Sequence, residues 1–245
     1  MRITLISDTH TKHHEVTHDL PGGDLLIHAG DIMNSGRNAP DITSFCKWFD
    51  GLDQYDHKVF IAGNHDRMFE DFPEKSMEIV RSYKWIDYLQ DDWIIVGDRD
   101  AHDPNVETAK IYGSPWQPEF HHWAFNLPRQ GEELAAKWAA IPEDTDILVT
   151  HGPAQGHVDT SGPPYNEPNL GCPLLRNHID TAERKPKIHV CGHIHGGYGY
   201  KFDGHTHWFN ASILNEYYEY ANKPVTFDWN PETNEITFIK FTDNE

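Results

Sequence analysis

The sequence predicts an α/β protein in which two mixed β-sheets pack face to face between outer helices, a four-layer αββα sandwich forming a single domain over residues 1–245. Three observations lead there. Short apolar runs alternate with amphipathic helical stretches along most of the chain, as in sheets covered by helices. The C-terminal part then reads as antiparallel strands. Finally, five short clusters of metal-binding side chains occur in order: Asp8-Thr9-His10, Gly30-Asp31, Gly63-Asn64-His65-Asp66, His151-Gly152 and Gly192-His193-Ile194-His195. Four of them directly follow an apolar run, which places polar ligands at one rim of a sheet.

Residues 2–7 (Arg-Ile-Thr-Leu-Ile-Ser) read as the first strand, and residues 24–29 as the second, after the break Pro21-Gly22-Gly23. Asp41 is placed to cap a helix running to about Leu52, with Ile42, Phe45, Trp48, Phe49 and Leu52 on one face. Residues 58–62 form a third strand, and a helix near 74–83 follows Pro73. Strands near 93–96 and 109–113 bracket a polar loop, 97–108. Next come a helix over 131–140, a strand over 146–150, a Gly/Pro loop over 152–168, a helix near 171–181 and a strand over 187–191. His205-Thr-His-Trp-Phe-Asn and Val225-Thr-Phe-Asp-Trp read as a terminal antiparallel β segment. The apolar strands look buried on both faces, so the loops at their carboxyl ends converge on one site.

Bulk composition narrows the function classes. No apolar run approaches the roughly 20 residues that span a bilayer, and the N-terminus reads as a strand entering a loop rather than as a signal peptide. Mean hydropathy is −0.68. Cys46, Cys172 and Cys191 form no CxxC and no disulfide framework, which points to the reducing cytoplasm. The formal net charge is −19, from 39 acidic and 20 basic residues. A duplex nucleic-acid binder needs the opposite balance, although a metal pair still attracts one small phosphate.

Two aspartates (Asp8, Asp31), one asparagine (Asn64) and four histidines (His10, His151, His193, His195) exceed one tetrahedral zinc and fit two divalent ions. Mixed imidazole and carboxylate ligands suit Zn, Mn or Fe better than Mg or Ca. Asp31, at a strand tip, is placed to bridge the pair. Two ions roughly 3.5–4 Å apart hold a hydroxide between them and clamp a phosphoryl group for in-line attack. The leaving alkoxide needs a proton, and His65, beside Asn64, is the candidate acid.

In that order these clusters resemble the calcineurin-like metallophosphoesterase superfamily, and within it the MPPED-type branch, similar to class III cyclic-nucleotide phosphodiesterases. The likeness covers nearly the whole chain. Its more specific segments are Ile-Ala-Gly-Asn-His-Asp at 61–66, Ile-Tyr-Gly-Ser-Pro-Trp-Gln-Pro at 111–118, Trp-Ala-Phe-Asn-Leu-Pro-Arg at 123–129, Leu-Val-Thr-His-Gly-Pro at 148–153, Cys-Gly-His-Ile-His-Gly-Gly-Tyr-Gly at 191–199 and Asn-Ala-Ser at 210–212. The resemblance implies one metal on Asp8, His10 and His195, a second on Asn64, His151 and His193, and Asp31 bridging both. It gives His65 the role of stabilising the transition state or protonating the leaving group. Asp66 either orients His65 or caps the following helix. Protein Ser/Thr phosphatases carry an Asp-Arg pair shortly after Gly-Asp, whereas here Asn34 and Ser35 stand in its place. An arginine fork for a monoester dianion is missing there, which favours diesters; the resemblance implies small ones such as 2′,3′- or 3′,5′-cyclic nucleotides. The rival readings are a metal-dependent nuclease and a nucleotide-binding module with little turnover. A homodimer is compatible with the resemblance, but no exposed apolar helix face argues for one.

Each cluster alone has a bland reading: Asp8 as an N-cap, Gly30-Asp31 as a turn, His151 as a strand-end histidine. The fixed order of five is what sets those readings aside. Other polar residues stay closer to structure. His28 and His189 sit within apolar strands as hydrogen-bonded core histidines. His205 and His207 read as structural or surface, and His13, His14 and His18 as loop residues. Trp116, His121, His122 and Trp123 read either as a rim over the site or, for the tryptophans, as core. The loops 97–108 and 152–168 are the candidate specificity elements.

Overall fold

The computed structural model describes residues 1–97 and 107–240, so most of the expected 97–108 loop lies outside the described residues. The chain runs through β1 (Arg2–Ile6), α1 (His13–Val16), β2 (Gly23–His28), α2 (Ala39–Asp50), β3 (Tyr55–Phe60), α3 (Arg67–Asp71), α4 (Pro73–Arg81) and β4 (Asp87–Tyr88). It continues with β5 (Asp92–Val96), β6 (Ala109–Ser114), the short pair β7 (Gln117–Pro118) and β8 (Asn126–Leu127), α5 (Glu132–Ala139) and β9 (Ile147–Thr150). It closes with α6 (Pro173–Thr181), β10 (Ile188–Cys191), β11 (Gly199–Phe202), β12 (His207–Asn210), β13 (Val225–Asn230) and β14 (Glu235–Lys240).

Two six-stranded sheets result, in the orders β14-β13-β1-β2-β3-β4 and β11-β12-β10-β9-β6-β5. In the first, β1 to β4 are parallel and β13 runs antiparallel to β1. In the second, β6, β9, β10 and β12 are parallel, with antiparallel strands at both edges. Strand alternation sorts the side chains into layers. Ile3, Leu5, Leu25, Ile27 and Val59 of one sheet meet Ile111, Ile147, Val149, Ile188 and Val190 of the other in a core between the sheets. Ile6, Leu26 and Phe60 point the other way, onto Phe45 and Phe49 of α2. Tyr112, Leu148 and Trp208 pack outward on Leu134 and Trp138 of α5 and Leu175 of α6. These are the four expected layers.

The stacked pair Phe45 and Phe49, ring centroids 5.1 Å apart, anchors α2. Truncating either to alanine costs about 3–5 kcal/mol. α2 begins at Ala39 because Pro40 suits a first turn; Asn38 holds the cap position and Asp41 lies inside the helix, 3.0 Å from the Asn38 amide, rather than capping it. His13 and His14 fall in a helical turn, not a loop, and His13 is buried against Phe45 and Trp48. The terminal β segment is divided. β12 pairs parallel with β10, while β13 and β14 extend the other sheet. Among the described residues no helix is long and apolar enough to cross a membrane.

Candidate metal centre

The carboxyl ends of β1, β2, β3, β9 and β10 meet at one rim, and each delivers one polar cluster. The sheets are joined there: Ser7 bridges Ser212, and Ile213 N donates to Ser7 O at 3.1 Å. Asp8, His10 and Asp31 enter from one sheet, and His151, His193 and His195 from the other. The loops turn sharply enough that Asp8, His10, Asp31 and His193 all adopt left-handed backbone, with φ of 55°, 40°, 58° and 67°. Two glycines make room. A Cβ at Gly192 would overlap the Asp8 carboxylate, and one at Gly63 would overlap that of Asp31.

Asp31 lies between two sets of imidazoles. Its Oδ2 is 3.5 Å from His10 Nε2, and its Oδ1 is 3.4 Å from His151 Nε2 and accepts from His65 N at 2.8 Å. Asp8 Oδ1 is 3.6 Å from His195 Nε2. His151 Nε2 also lies 3.0 Å from Asn64 Oδ1. Two three-residue groups able to hold an ion are Asp8-His10-His195 and Asp8-Asp31-His151, and a third, His10-Asp31-His65, shares His10 and Asp31 with them and adds His65. His193 belongs to none of these groups. Its ring stands 5.1 Å from that of His151, and its backbone N donates to both Asp8 oxygens at 3.1 Å.

Backbone carbonyls set the imidazole orientation. The Nδ1 atoms of His10, His151 and His195 face Met33 O at 3.0 Å, Ala29 O at 2.9 Å and Asn215 O at 2.9 Å. Each Nδ1–H therefore donates outward and each Nε2 points inward, the arrangement that orients metal-ligating histidines. His10 Nε2 is buried with no hydrogen-bond partner among the described residues. An orphaned acceptor beside two carboxylates, inside a glycine-cleared cradle, fits divalent ions; the donors Asp8, His10, Asp31, Asn64, His151 and His195 converge for them.

Electrostatics follow from the same contacts. Burial alone would raise the Asp8 carboxyl, but His195 and the surrounding histidines hold it well below the usual carboxylate range. Asp31 is likewise held low against burial, chiefly by His151. Burial opposes charge on His151 and His195, yet Asp31 and Asp8 outweigh it and raise both to about 9. Burial dominates at His10, lowered to about 4, and at His193, lowered to about 3.

His65 sits at the rim. Its Nδ1 faces Asn34 O at 2.5 Å and its ring stacks on Trp123 at 4.1 Å. Trp123 is thus a rim residue, whereas Trp116 packs into the core with Nε1 on Asp91. Asp66 is fully buried. Its carboxylate accepts from Met33 N at 2.8 Å, Ile32 N at 3.2 Å and Gly63 N at 2.7 Å. It makes no side-chain cap on α3, so the capping alternative does not hold. His28 and His189 are core histidines as expected, bonded to Thr9 and Thr150. His121 lies against Phe120, and His122 is fully solvent-exposed.

Sequence reading assigns no role to four neighbours of the centre. Ser212 Oγ donates to Asp8 Oδ2 at 2.7 Å, and Asn210 Nδ2 donates to Ile194 O at 2.8 Å, holding the 192–195 loop. The signal was the Asn-Ala-Ser triplet itself, polar residues ending a buried strand. Tyr218 packs its ring on those of His10 and His195, at 4.8 and 5.2 Å, and Asn215 supplies the carbonyl for His195. Neither has a local pattern that marks it.

Two mixed sheets gathering carboxylates and imidazoles at their shared rim define a metallophosphoesterase-type centre. The family model for calcineurin-like phosphoesterase matches residues 1–197, and the chain belongs to that family of dinuclear, metal-dependent phosphoester hydrolases. It is 38% identical over 240 residues to metallophosphoesterase domain-containing protein 1 of Homo sapiens, covering 93% of this chain and 70% of that one. It is 34% identical over 244 residues to a UPF0046 protein of Caenorhabditis elegans, covering 93% and 60%. A solved structure, TT1561 of Thermus thermophilus, shares the fold with a TM-score of 0.58 over 97% of each chain, at 13% identity.

Proposed function

We propose that the protein hydrolyses small phosphodiesters, cyclic nucleotides among them, with two divalent transition metal ions drawn from Mn, Fe and Zn. The observation that carries this reading is Asp31, whose two oxygens face separate imidazole sets and so suit a bridging role. Asp8, His10 and His195 would hold one ion, and Asn64, His151 and His193 the other, with His193 the outermost member. Bound ions supply the positive charge that activates water and neutralises a phosphoryl group.

The protein's own groups do the rest. With its Nδ1–H given to Asn34 O, His65 offers Nε2 at the rim, where a protonated ring can pass a proton to the leaving oxygen. Trp123 backs the ring and keeps it from swinging. Asp66 acts at one remove, tying the backbone after Asp31 to that before Asn64. Asn34 and Ser35 put no guanidinium where a monoester dianion would need one, which supports diesters. Three free, buried cysteines support a cytoplasmic setting.

The test is hydrolysis of bis-p-nitrophenyl phosphate, p-nitrophenyl phosphate and a panel of cyclic nucleotides after chelation and readdition of Mn, Zn or Fe. Metal-dependent cleavage with diester faster than monoester is expected. His65→Ala should lose turnover with metal content near normal. No turnover with any metal, despite bound ions, would favour a binding module instead.

A further inference from the structure

A cavity of about 540 Å³ opens beside His193 and His195. One wall comes from the 152–168 loop, through Ser161 and Tyr165, and another from Gln117 and Phe120. Its polar character is one-sided. Arg129 is the one arginine or lysine lining it among the described residues, and that guanidinium already donates to Leu170 O at 3.1 Å and Gly171 O at 2.6 Å. The acids Glu119, Glu167 and Glu216 line it as well. Glu216 is fixed by accepting from Gly162 N at 2.7 Å and Gly196 N at 3.0 Å.

Gln117 is decisive. It is 1% exposed, lines the cavity, and its Oε1 has no hydrogen-bond partner among the described residues. The amide orientation follows from its neighbour. Asn126 Nδ2 donates to Phe120 O at 3.0 Å and His121 O at 3.3 Å, so Asn126 Oδ1 must be the atom facing Gln117. Gln117 therefore donates through Nε2, at 3.2 Å, and its oxygen remains as a buried acceptor without a donor. Leaving such a group unpaired is costly, and a ligand donor removes the cost.

We infer that this cavity is the specificity pocket of the phosphodiesterase, and that it takes an ester group presenting a hydrogen-bond donor and no further negative charge. The inference rests on the diesterase reading and adds its substrate class. An amine- or hydroxyl-bearing alcohol, or an amino-bearing base, meets Gln117 Oε1 and the carboxylates. A second phosphate or a carboxylate meets the unpaired Gln117 oxygen and three carboxylates, against the single Arg129 guanidinium, which backbone carbonyls already engage. Oligonucleotides and nucleotides with an additional phosphate are disfavoured for that reason.

The test uses the metal-loaded protein and three matched substrates: the p-nitrophenyl phosphodiesters of ethanolamine, ethanol and glycolic acid. Ratios of kcat/KM on one preparation cancel folded fraction and metal occupancy. The expected order is aminoethyl, then ethyl, then carboxymethyl, with about tenfold or more between the first two, as a hydrogen bond involving a charged group supplies. Gln117→Leu should bring the aminoethyl-to-ethyl ratio down several-fold, and Gln117→Glu, which keeps an acceptor, should preserve it. Equal rates on the three esters, or carboxymethyl as the best substrate, would overturn the inference while leaving the diesterase reading standing. A ratio unchanged in Gln117→Leu would overturn the assignment to Gln117. Hydrolysis of none of the three would instead sink the diesterase reading itself.

Discussion

Replacing Asp66 by asparagine tests whether the centre is held together from behind. The wild-type carboxylate is fully buried and takes three backbone N–H groups, one on Oδ1 and two on Oδ2. Burial and the nearby Asp31 charge push its carboxyl up, to about 8, against the three N–H groups that favour the anion, so the comparison with asparagine is made above pH 8, where the carboxylate is ionised. Asparagine keeps one acceptor oxygen. If that oxygen stays with Ile32 and Gly63, its NH2 confronts Met33 N–H, donor against donor. One hydrogen bond to a charged group is lost, at about 1.5–3 kcal/mol, and a buried donor is left unpaired, at about 1–3 kcal/mol. The summed cost is about 2.5–6 kcal/mol, against a domain's usual stability of about 5–15 kcal/mol, so the variant should fold with a reduced margin. The metal consequence is larger than the stability one. Ile32 and Met33 directly follow Asp31, Met33 O orients His10, and Gly63 precedes Asn64. Urea unfolding of the metal-free chain and elemental analysis of the dialysed, metal-loaded chain measure the two effects. A variant within about 0.5 kcal/mol of wild type, the scatter of ordinary surface substitutions, that also retained both ions would refute this account of Asp66.

Other outcomes follow from contacts of the same kind. Ser212→Ala removes the 2.7 Å bond to Asp8 and should weaken metal affinity about 10–100-fold, read by competition with a chromogenic chelator; unchanged affinity would remove Ser212 from the centre. Gly63→Ala drives a methyl group into Asp31 and His151 and should abolish metal uptake, with full uptake as the contrary result. Asp31→Asn should deplete both ions, whereas His10→Ala should deplete chiefly one; full metal content in the Asp31 variant counts against a bridge. Burial holds His189 neutral, lowered to about 3, so the unfolded chain takes up its proton first and stability falls as pH drops through the ordinary histidine range. The loss is about 2 kcal/mol at pH 5 relative to pH 8. His189→Gln, which keeps a donor for Thr150, should flatten the acid slope of the urea midpoint by that amount, and an unaltered slope would contradict it.

The layers were legible because strand and helix periodicities are local properties of the chain. Ile3 and Leu5 alternate with Thr4 and Ile6, and Ile42, Phe45 and Phe49 recur at helical spacing; both patterns state which face is covered. Pairing partners are not local. Nothing within His207–Asn210 says that it joins β10 while Val225–Asn230 joins β1, and two-residue strands such as Asp87–Tyr88 carry no pattern at all. The same distinction governs the centre. Asp8, His10, Asp31, His151 and His195 could be named from side-chain chemistry and loop position, and the structure brings their donor atoms together. What fixes them could not be read. The carbonyls of Met33, Ala29 and Asn215 belong to residue types with no chemical signature, because any amino acid supplies a carbonyl.

The left-handed backbone at Asp8, His10, Asp31 and His193 has a consequence for how activity and robustness trade against each other. A side chain in that conformation carries a strain of about 1 kcal/mol that glycine escapes. Pressure for a sturdier fold alone would therefore push these four positions toward glycine. The chain instead retains an aspartate or a histidine at each, accepting a less forgiving backbone where ligands are required. A copy freed from catalysis could drift at these positions with relief of strain, so its loss of activity need not come with a lower melting temperature.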